Sequence, residues 1–244
     1  AAEKYPKPVL WKKIDISSWW PCSVRFGDAR GAGHKELILQ KETGDGIRII
    51  CLDIGSGQVQ SDRTFHASRG LTRVAVHDLD GCGAEDIIGL DLEADRLRLI
   101  SGRTGEVTAD VELPRTGPYR GWRQDSVGSW LHSLRVLWPC TLRTGTRGGQ
   151  DLILRDGDGA GTGYSFWAFD DKLELRWRAD AEGAWHGMYL WFWDVDGDGR
   201  DEILPGYELW DGDGNRLWTM QGSEYIEDSG GAGHIDHAAF GPIS

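Results

Sequence analysis

Residues 190–204 read LWFWDVDGDGRDEIL and place an acidic, glycine-containing turn between two apolar runs. The same plan recurs in three earlier segments: VRFGDARGAGHKELIL from Val24, VAVHDLDGCGAEDIIGL from Val74 and VLWPCTLRTGTRGGQDLIL from Val136. The turns begin at equivalent positions spaced 50, 63 and 53 residues apart, namely Asp28, Asp78, Thr141 and Asp194. A period of this size indicates an internal repeat built from one small structural unit.

Each repeated segment is followed by two further apolar runs around a tight polar turn, for example at Ser56-Gly57, Thr104-Gly105 and Asp213-Gly214. Such pairs favour short β-hairpins, because glycine adopts positive φ without a steric cost. Each unit therefore predicts four antiparallel strands, A to D in chain order. Four-stranded units of this length are typical of the blades of a β-propeller. No stretch shows the helical period that an α/β protein would need.

We therefore expect an all-β propeller with four complete blades, at residues 18–70, 71–132, 133–186 and 187–233. Residues 1–17 look like an isolated outer strand and residues 234–244 like the start of an inner strand, so both are expected to belong to adjacent blades. One interpretation is a four-bladed ring with unusual ends. We prefer part of a seven- or eight-bladed ring, completed by another chain or segment, because open sheet edges promote aggregation.

The charge balance argues against two broad classes of partner. Lys plus Arg is 27 and Asp plus Glu is 39, which gives a formal net charge of −12 and a pI near 5.0. This disfavours general binding to nucleic acid or to a membrane surface. No apolar run is long enough for a membrane span, and no basic n-region precedes an apolar core. The chain begins with Ala1, which is compatible with a processed protein, and we expect an extracellular or periplasmic location.

Tryptophan and cysteine content adds two expectations. Of the 13 tryptophans, seven lie in predicted strands and are expected to fill the space between blades: Trp138, Trp167, Trp177, Trp191, Trp193, Trp210 and Trp218. The four cysteines are Cys22, Cys51, Cys82 and Cys140, and none has CxxC spacing. A thiolate zinc site is therefore not expected, whereas paired disulfides and four buried thiols both remain open.

The turn of the fourth unit has the pattern of a calcium-binding loop. Oxygen donors alternate at positions 1, 3, 5, 7 and 9, which are Asp194, Asp196, Asp198, the backbone carbonyl of Arg200, and Glu202. This alternation curls a loop around one cation, and a ligand set made only of oxygen favours calcium over zinc. Pro205 occupies position 12, so the loop is not an EF-hand. A plain acidic turn is the alternative interpretation.

The other three turns keep less of this pattern. In the second unit Asp78, Asp80 and Asp86 retain positions 1, 3 and 9, with Cys82 at position 5, and we expect a second, weaker calcium site. The first turn keeps only its two ends, with Arg30 between them, and the third turn carries Arg143. In these two turns a cationic side chain is expected to stand in for the metal.

The repeated turn and hairpin resemble the FG-GAP class of calcium-binding propeller repeat. More closely, DVDGDGRDEILPGYELWDGDGNRLW followed by GAGHIDHAAF resembles the propellers of rhamnogalacturonan lyases and related lyases of rhamnose- and glucuronate-containing polysaccharides. The repeat resemblance covers nearly the whole chain, and the lyase resemblance covers mainly residues 185–240. It implies a propeller with structural calcium and an anionic polysaccharide as substrate.

Histidine, arginine and aromatic residues collect on the face opposite the calcium turns. Strand A runs from the D-to-A loop to the acidic turn, so these two loops lie on opposite faces. Three D-to-A loops carry a histidine at a similar place, which are His132, His186 and His234. An insertion of roughly ten residues adds cations and aromatics before the first of them: Tyr119, Arg120, Trp122 and Arg123. Interleaved cations and rings suit an anionic sugar.

The resemblance to lyases implies roles for these residues. β-Elimination at a uronic acid needs a cation on the carboxylate, a base for the C5 proton and an acid for the leaving oxygen. His, Tyr and Arg recur as functional residues in these lyases. This implies His132 or His186 as base, Tyr189 or Tyr119 as acid, Arg120 or Arg123 on the carboxylate, and His234 as a further catalytic candidate.

Four loop tryptophans are candidates for stacking on sugar rings: Trp20, Trp122, Trp130 and Trp185. The competing interpretation is structural, with each histidine hydrogen-bonded in its loop and each tryptophan packed. The leading functional hypothesis is a secreted lyase, or part of one, that cleaves a uronate-containing glycan by β-elimination. The alternative is a non-catalytic, calcium-stabilised propeller that binds carbohydrate or protein, and an adhesion module is a third possibility.

Overall fold

The computed structural model describes residues 9–44, 46–66, 71–91, 96–113, 136–146, 148–157, 164–181 and 190–220. These residues form four separate four-stranded sheets and one short 3-10 helix, Ser17–Trp19. All neighbouring strands are antiparallel and follow one another in chain order. The prediction of an all-β chain with four complete four-stranded units is confirmed.

The sixteen strands fall into four consecutive groups. The first two sheets are β1 Ser23–Gly27, β2 Glu36–Thr43, β3 Gly46–Asp53 and β4 Val59–His66, then β5 Leu71–His77, β6 Asp86–Asp91, β7 Arg96–Ile100 and β8 Val107–Glu112. The third sheet is β9 Val136–Cys140, β10 Asp151–Gly157, β11 Tyr164–Phe169 and β12 Leu175–Ala181. The fourth is β13 Trp191–Trp193, β14 Glu202–Leu204, β15 Glu208–Trp210 and β16 Arg216–Thr219. We call the sheets blades 1 to 4.

The core consists of apolar layers between successive blades. Ile38 of blade 1 shares a cluster with Ile87 of blade 2, and Leu97 of blade 2 shares one with Trp167 of blade 3. A third layer joins blades 3 and 4 through Phe166 and Trp210, whose rings meet edge to face at 5.3 Å. Because side chains alternate across a strand, each blade contributes to the layers on both of its faces.

The outermost faces of blades 1 and 4 differ from the inner layers. Val76 and Phe192, each two residues before the turn, pack towards the preceding blade, whereas the equivalent Phe26 is 67% exposed. At the other end Trp193 is 51% exposed, although the equivalent Cys140 is buried. Trp193 and Trp218 were expected in the core, and this expectation is wrong because both lie on the face of blade 4 that points away from blade 3.

The segment before blade 1 covers part of its outer face. Ile14, Ile16 and Trp19 pack against a cluster that contains Leu39 and Ile50. Residues 9–16 form no strand in the structure. The remainder of the predicted outer strand, residues 1–8, and the predicted inner strand, residues 234–244, lie outside the described residues. None of the described helices is long and apolar enough to cross a membrane.

All four cysteines are described, and all are free. Of the two alternatives left open by the sequence, paired disulfides are therefore not found. Cys22 packs with the outer face of blade 1 and Cys51 with the opposite face, so the sheet itself separates them. The alternative of four buried thiols holds for Cys51 and Cys140 only, because Cys22 is half-buried and Cys82 is exposed.

Candidate functional site

The fourth turn brings three carboxylates together. One ligand atom each from Asp194, Asp196 and Glu202 lies within 4.8 Å of the others. Asp194 is fixed by the backbone, since Gly197 N donates to Oδ1 at 2.7 Å and Gly199 N donates to Oδ2 at 2.9 Å. The two glycines have φ of 80° and 85°, which ordinary residues rarely adopt and which curl the loop around this group.

Glu202 is the buried member of this group. Its Oε2 accepts a hydrogen bond from Val195 N at 2.7 Å, and the residue is 4% exposed. Burial, together with Asp196, Asp198 and Asp194, raises the pKa of Glu202 above its usual value. A cluster of oxygen donors with an excess of negative charge fits a hard divalent cation such as calcium.

The remaining predicted ligands of this turn are Asp198 and the backbone carbonyl of Arg200. Asp198 is not in the group of three, and its Oδ1 accepts a hydrogen bond from Arg200 N at 2.8 Å. The Arg200 side chain points away to blade 3, where its Nε donates to the carbonyl of Leu142 at 3.0 Å. The predicted calcium ligand from Arg200 is its backbone carbonyl, so the direction of the side chain does not affect this prediction.

The second turn forms a mixed group. Ligand atoms of Asp78, Asp80 and Cys82 lie within 4.8 Å of one another, and Oδ1 of Asp78 is buried without a hydrogen-bond partner among the described residues. Cys82 stands where the pattern predicts an acid, and its sulfur is a member of this group. The signal that could have identified it is its place at position 5 of the nine-residue frame.

Asp86, the third predicted ligand of the second turn, is not in this group of three and lies at the buried end of the turn. It is 3% exposed and its Oδ2 accepts from Leu79 N at 3.3 Å. Burial, and then the charge of Asp80, raises the pKa of Asp86 to about 6. Like Glu202, Asp86 is therefore a buried carboxyl whose ionised form would be stabilised by a cation in the turn.

Most of the predicted ligand face lies outside the described residues. This applies to the predicted catalytic residues His132, His186, Tyr189, Tyr119 and His234, and to Arg120, Arg123, Trp122, Trp130 and Trp185. Trp20 is described, directly before β1, and is 70% exposed. The Lys41 ammonium donates to the carbonyl of Trp20 at 3.4 Å. Because Ser23 pairs with Gln40 and Gly27 with Glu36, Trp20 and the turn lie at opposite ends of β1.

No protein-family profile matches the chain. A curated relative, the rhamnogalacturonan exolyase YesX of Bacillus subtilis (strain 168), is 26% identical over 240 residues, which cover 84% of this chain and 37% of the relative. The chain therefore spans less than half the length of that relative.

Three solved structures share the fold. The rhamnogalacturonan lyase YesW has a TM-score of 0.60 and 23% identity, with coverage of 81% of this chain and 42% of that chain. The exotype rhamnogalacturonan lyase YesX has a TM-score of 0.58 and 25% identity, with coverage of 81% and 40%. The Bacillus licheniformis rhamnogalacturonan lyase PL11 has a TM-score of 0.59 and 22% identity, with coverage of 81% and 41%. Together with the four stacked blades, this defines an all-β protein of partial-propeller type that resembles rhamnogalacturonan lyases.

Proposed function

We propose that this chain is a polysaccharide lyase, or a part of one, that cleaves a uronic-acid-containing, rhamnogalacturonan-like glycan by β-elimination. The observation that carries the proposal is the combined likeness in sequence and fold to rhamnogalacturonan lyases across more than four-fifths of the chain. A fold alone would not carry it, since one fold supports many chemistries. Because a polysaccharide is too large to cross a membrane, we propose a secreted, extracellular or periplasmic, location.

The proposed reaction breaks the bond between C4 of the uronate and the leaving oxygen. A base removes the C5 proton, the electron pair forms the C4–C5 double bond, and an acid protonates the leaving oxygen. A cation on the carboxylate stabilises the negative charge that develops during proton removal. His132 or His186 is the proposed base, Tyr189 or Tyr119 the acid and Arg120 or Arg123 the cation, with His234 as a further candidate.

We further propose calcium as a structural ion in the second and fourth turns. The support is the geometry of the two groups of three and the buried carboxyls Asp86 and Glu202. The fourth turn offers only oxygen, the donor type that calcium prefers, whereas Cys82 makes the second turn a weaker fit. These turns lie at the opposite end of the inner strands from Trp20, so the ion would stabilise the blades without touching the sugar.

The exposed faces of blades 1 and 4 suggest that the propeller is completed by further blades, from another segment or another chain. Phe26 and Trp193 are exposed, whereas the residues at the equivalent positions of other blades, Val76, Phe192 and Cys140, pack between neighbouring blades. Apolar side chains of this size in repeated interface positions are typical of a surface that is covered in the functional protein.

The experiment that tests the lyase is an ultraviolet absorbance assay for the conjugated double bond. The full chain would be incubated with rhamnogalacturonan, ulvan and a glucuronate-capped gum. We expect the absorbance to rise with at least one glycan and to fall sharply in the variants His132→Ala or His186→Ala. His34→Ala is the matched control, because His34 is exposed on the opposite, turn face and pairs with Asp53 at 3.5 Å.

The non-catalytic alternative is favoured by the exposed ring of Trp20, which could stack on a sugar without any reaction. It predicts glycan binding without an unsaturated product. Trp20→Ala would weaken that binding, whereas Trp11→Ala, a similarly exposed tryptophan, would leave it unchanged. Binding that survives in His186→Ala, with no absorbance change from the unaltered protein, would favour this alternative over the lyase.

A further inference from the structure

All four turns end in a buried carboxylate. The final residues of the four turns are Glu36 (0% exposed), Asp86 (3%), Asp151 (0%) and Glu202 (4%). A buried carboxylate is costly unless a positive charge or hydrogen bonds compensate it. The other residues of each turn therefore determine whether the protein itself supplies that positive charge.

In the first and third turns the compensation is an arginine of the same turn. Arg30 Nε donates to Glu36 Oε1 at 2.6 Å. Arg143 Nε donates to Asp151 Oδ1 at 2.7 Å, and its Nη2 reaches Asp171 at 2.9 Å. Both arginines occupy the third position of their turn, the position held by Asp80 and Asp196 in the other two. The guanidinium therefore lies on the buried carboxylate from within the loop.

In the second and fourth turns the buried carboxylate accepts a backbone hydrogen bond, from Leu79 N to Asp86 and from Val195 N to Glu202, but no arginine of the turn supplies a positive charge. Among the residues that the structure describes, no Lys or Arg forms an ion pair with Asp86 or Glu202, and the third position adds a further negative charge. The rest of the frame is shared, since a glycine N–H caps the first residue in both kinds of turn: Gly33 N donates to Asp28 at 2.6 Å and Gly199 N to Asp194 at 2.9 Å. At the third position the two kinds of turn therefore carry side chains of opposite charge.

We infer that Arg30 and Arg143 are built-in cations that replace a bound divalent metal, so that metal-free and metal-binding turns alternate along the four blades. In the turns of blades 1 and 3 an arginine side chain of the protein supplies the positive charge, so these turns do not depend on calcium. Blades 2 and 4 depend on calcium supply. This inference rests on the calcium sites proposed above for the second and fourth turns.

The test measures calcium stoichiometry by isothermal titration calorimetry after removal of metal with a chelator. The unaltered chain is expected to bind two calcium ions. Arg30→Asp recreates the acidic third position in the first turn, between Asp28 and Glu36, and is expected to bind a third ion. Arg30→Gln is the matched control: it removes the charge without adding a ligand, so the stoichiometry stays at two.

Thermal unfolding supplies the second readout. Arg30→Gln leaves Glu36 buried without its cation and is expected to lower Tm by at least about 5 °C, whether or not calcium is present. Arg143→Gln tests the third turn in the same way if the first variant does not fold. Uptake of four ions by the unaltered chain, or an unchanged Tm in both Gln variants, would overturn the inference. If the unaltered chain binds no calcium, the proposed calcium sites fail, and a lowered Tm in Arg30→Gln would still support the arginine as the cation for Glu36.

Discussion

Thr141 and Asp201 join the third turn to the fourth through a reciprocal pair of hydrogen bonds. Asp201 N donates to the carbonyl of Thr141 at 2.6 Å, and Thr141 N donates to Oδ2 of Asp201 at 2.7 Å. A similar contact joins blades 1 and 2, where Glu85 N donates to the carbonyl of Asp28 at 2.9 Å and Lys35 pairs with the Glu85 carboxylate at 2.7 Å. The turns thus connect neighbouring blades in addition to closing their own strands.

Removal of the Asp201 carboxylate should weaken the contact between blades 3 and 4. Asp201→Ala leaves Thr141 N without its acceptor, and we expect a loss of about 1–3 kcal/mol in the free energy of unfolding. Asp201→Asn retains an acceptor oxygen and should lose less. The measurement is urea unfolding, with Glu106→Ala, an exposed hairpin residue, as the control expected within about 0.5 kcal/mol of the unaltered protein. Equal stability of Asp201→Ala and the control would contradict the role of the pair.

Calcium should stabilise the protein through the fourth turn. At a concentration of 100 times Kd, one bound ion stabilises the folded state by about 2.7 kcal/mol. We expect Asp196→Asn to lose a large part of the calcium-dependent rise in Tm, because Asp196 belongs to the group of three ligands. Glu174→Gln, an exposed residue in the third blade, should keep the whole rise. If both variants respond to calcium like the unaltered chain, the ion binds elsewhere.

The pH dependence of the metal-free protein should reveal Asp86. Burial and the charge of Asp80 raise the pKa of Asp86 from 3.8 to about 6 in the folded state. Between about pH 4 and 6 the folded chain therefore retains a proton on Asp86 that the unfolded chain releases. Its contribution to stability is complete below about pH 4 and is lost as the pH rises through about 6, by an amount of about 3 kcal/mol.

The variant Asp86→Asn isolates this effect. The amide cannot ionise, so at pH 7 and with chelator present the variant should be more stable than the unaltered chain, while the two should converge near pH 4. Urea unfolding at several pH values provides the measurement. If the difference in stability between the two proteins does not change with pH, the pKa of Asp86 is not raised in the folded chain.

The cysteines should differ in reactivity towards a maleimide. Cys82 is exposed, whereas Cys51 and Cys140 are buried. Burial raises the pKa of Cys51 to about 11 and that of Cys140 well above its usual value, which keeps both as inert thiols. Native labelling followed by peptide mass mapping should therefore find Cys82 modified and these two unmodified. Cys82→Ser should lose this label, and equally rapid labelling of Cys140 would contradict its burial.

The tight hairpins between the third and fourth strands of a blade made the strand order predictable, because their glycines adopt positive φ. Gly57, Gly105 and Gly214 have φ of 78°, 76° and 81°. Contacts between blades were less accessible to sequence reasoning. Trp193 is exposed because blade 4 is the last of the four described blades. The sequence of an apolar strand does not show whether its blade has a neighbour on both faces. The reciprocal hydrogen bonds between Thr141 and Asp201 join two residues 60 positions apart, and no local pattern marks such a contact.

The candidate site likewise has a part that the sequence predicts and a part that it does not. Acidic positions within one turn are close in sequence, so the proximity of Asp194, Asp196 and Glu202 could be predicted from spacing, whereas the position of Asp198 outside this group could not. The proposed base, acid and cation come from different D-to-A loops, and their convergence depends on how the blades are arranged around an axis. Spacing along the chain does not determine this arrangement, so His132, His186 and Arg120 stay predictions.

The mass of the reaction products tests the lyase proposal most directly. Elimination leaves a double bond at the new non-reducing end, so each such product is lighter by one water than the product of hydrolysis. After incubation of the full chain with rhamnogalacturonan in the presence of calcium, we predict mass spectra with unsaturated uronate-terminated oligosaccharides or disaccharides. Products with the mass expected for hydrolysis, or glycan that is bound but uncleaved, would contradict the proposed function.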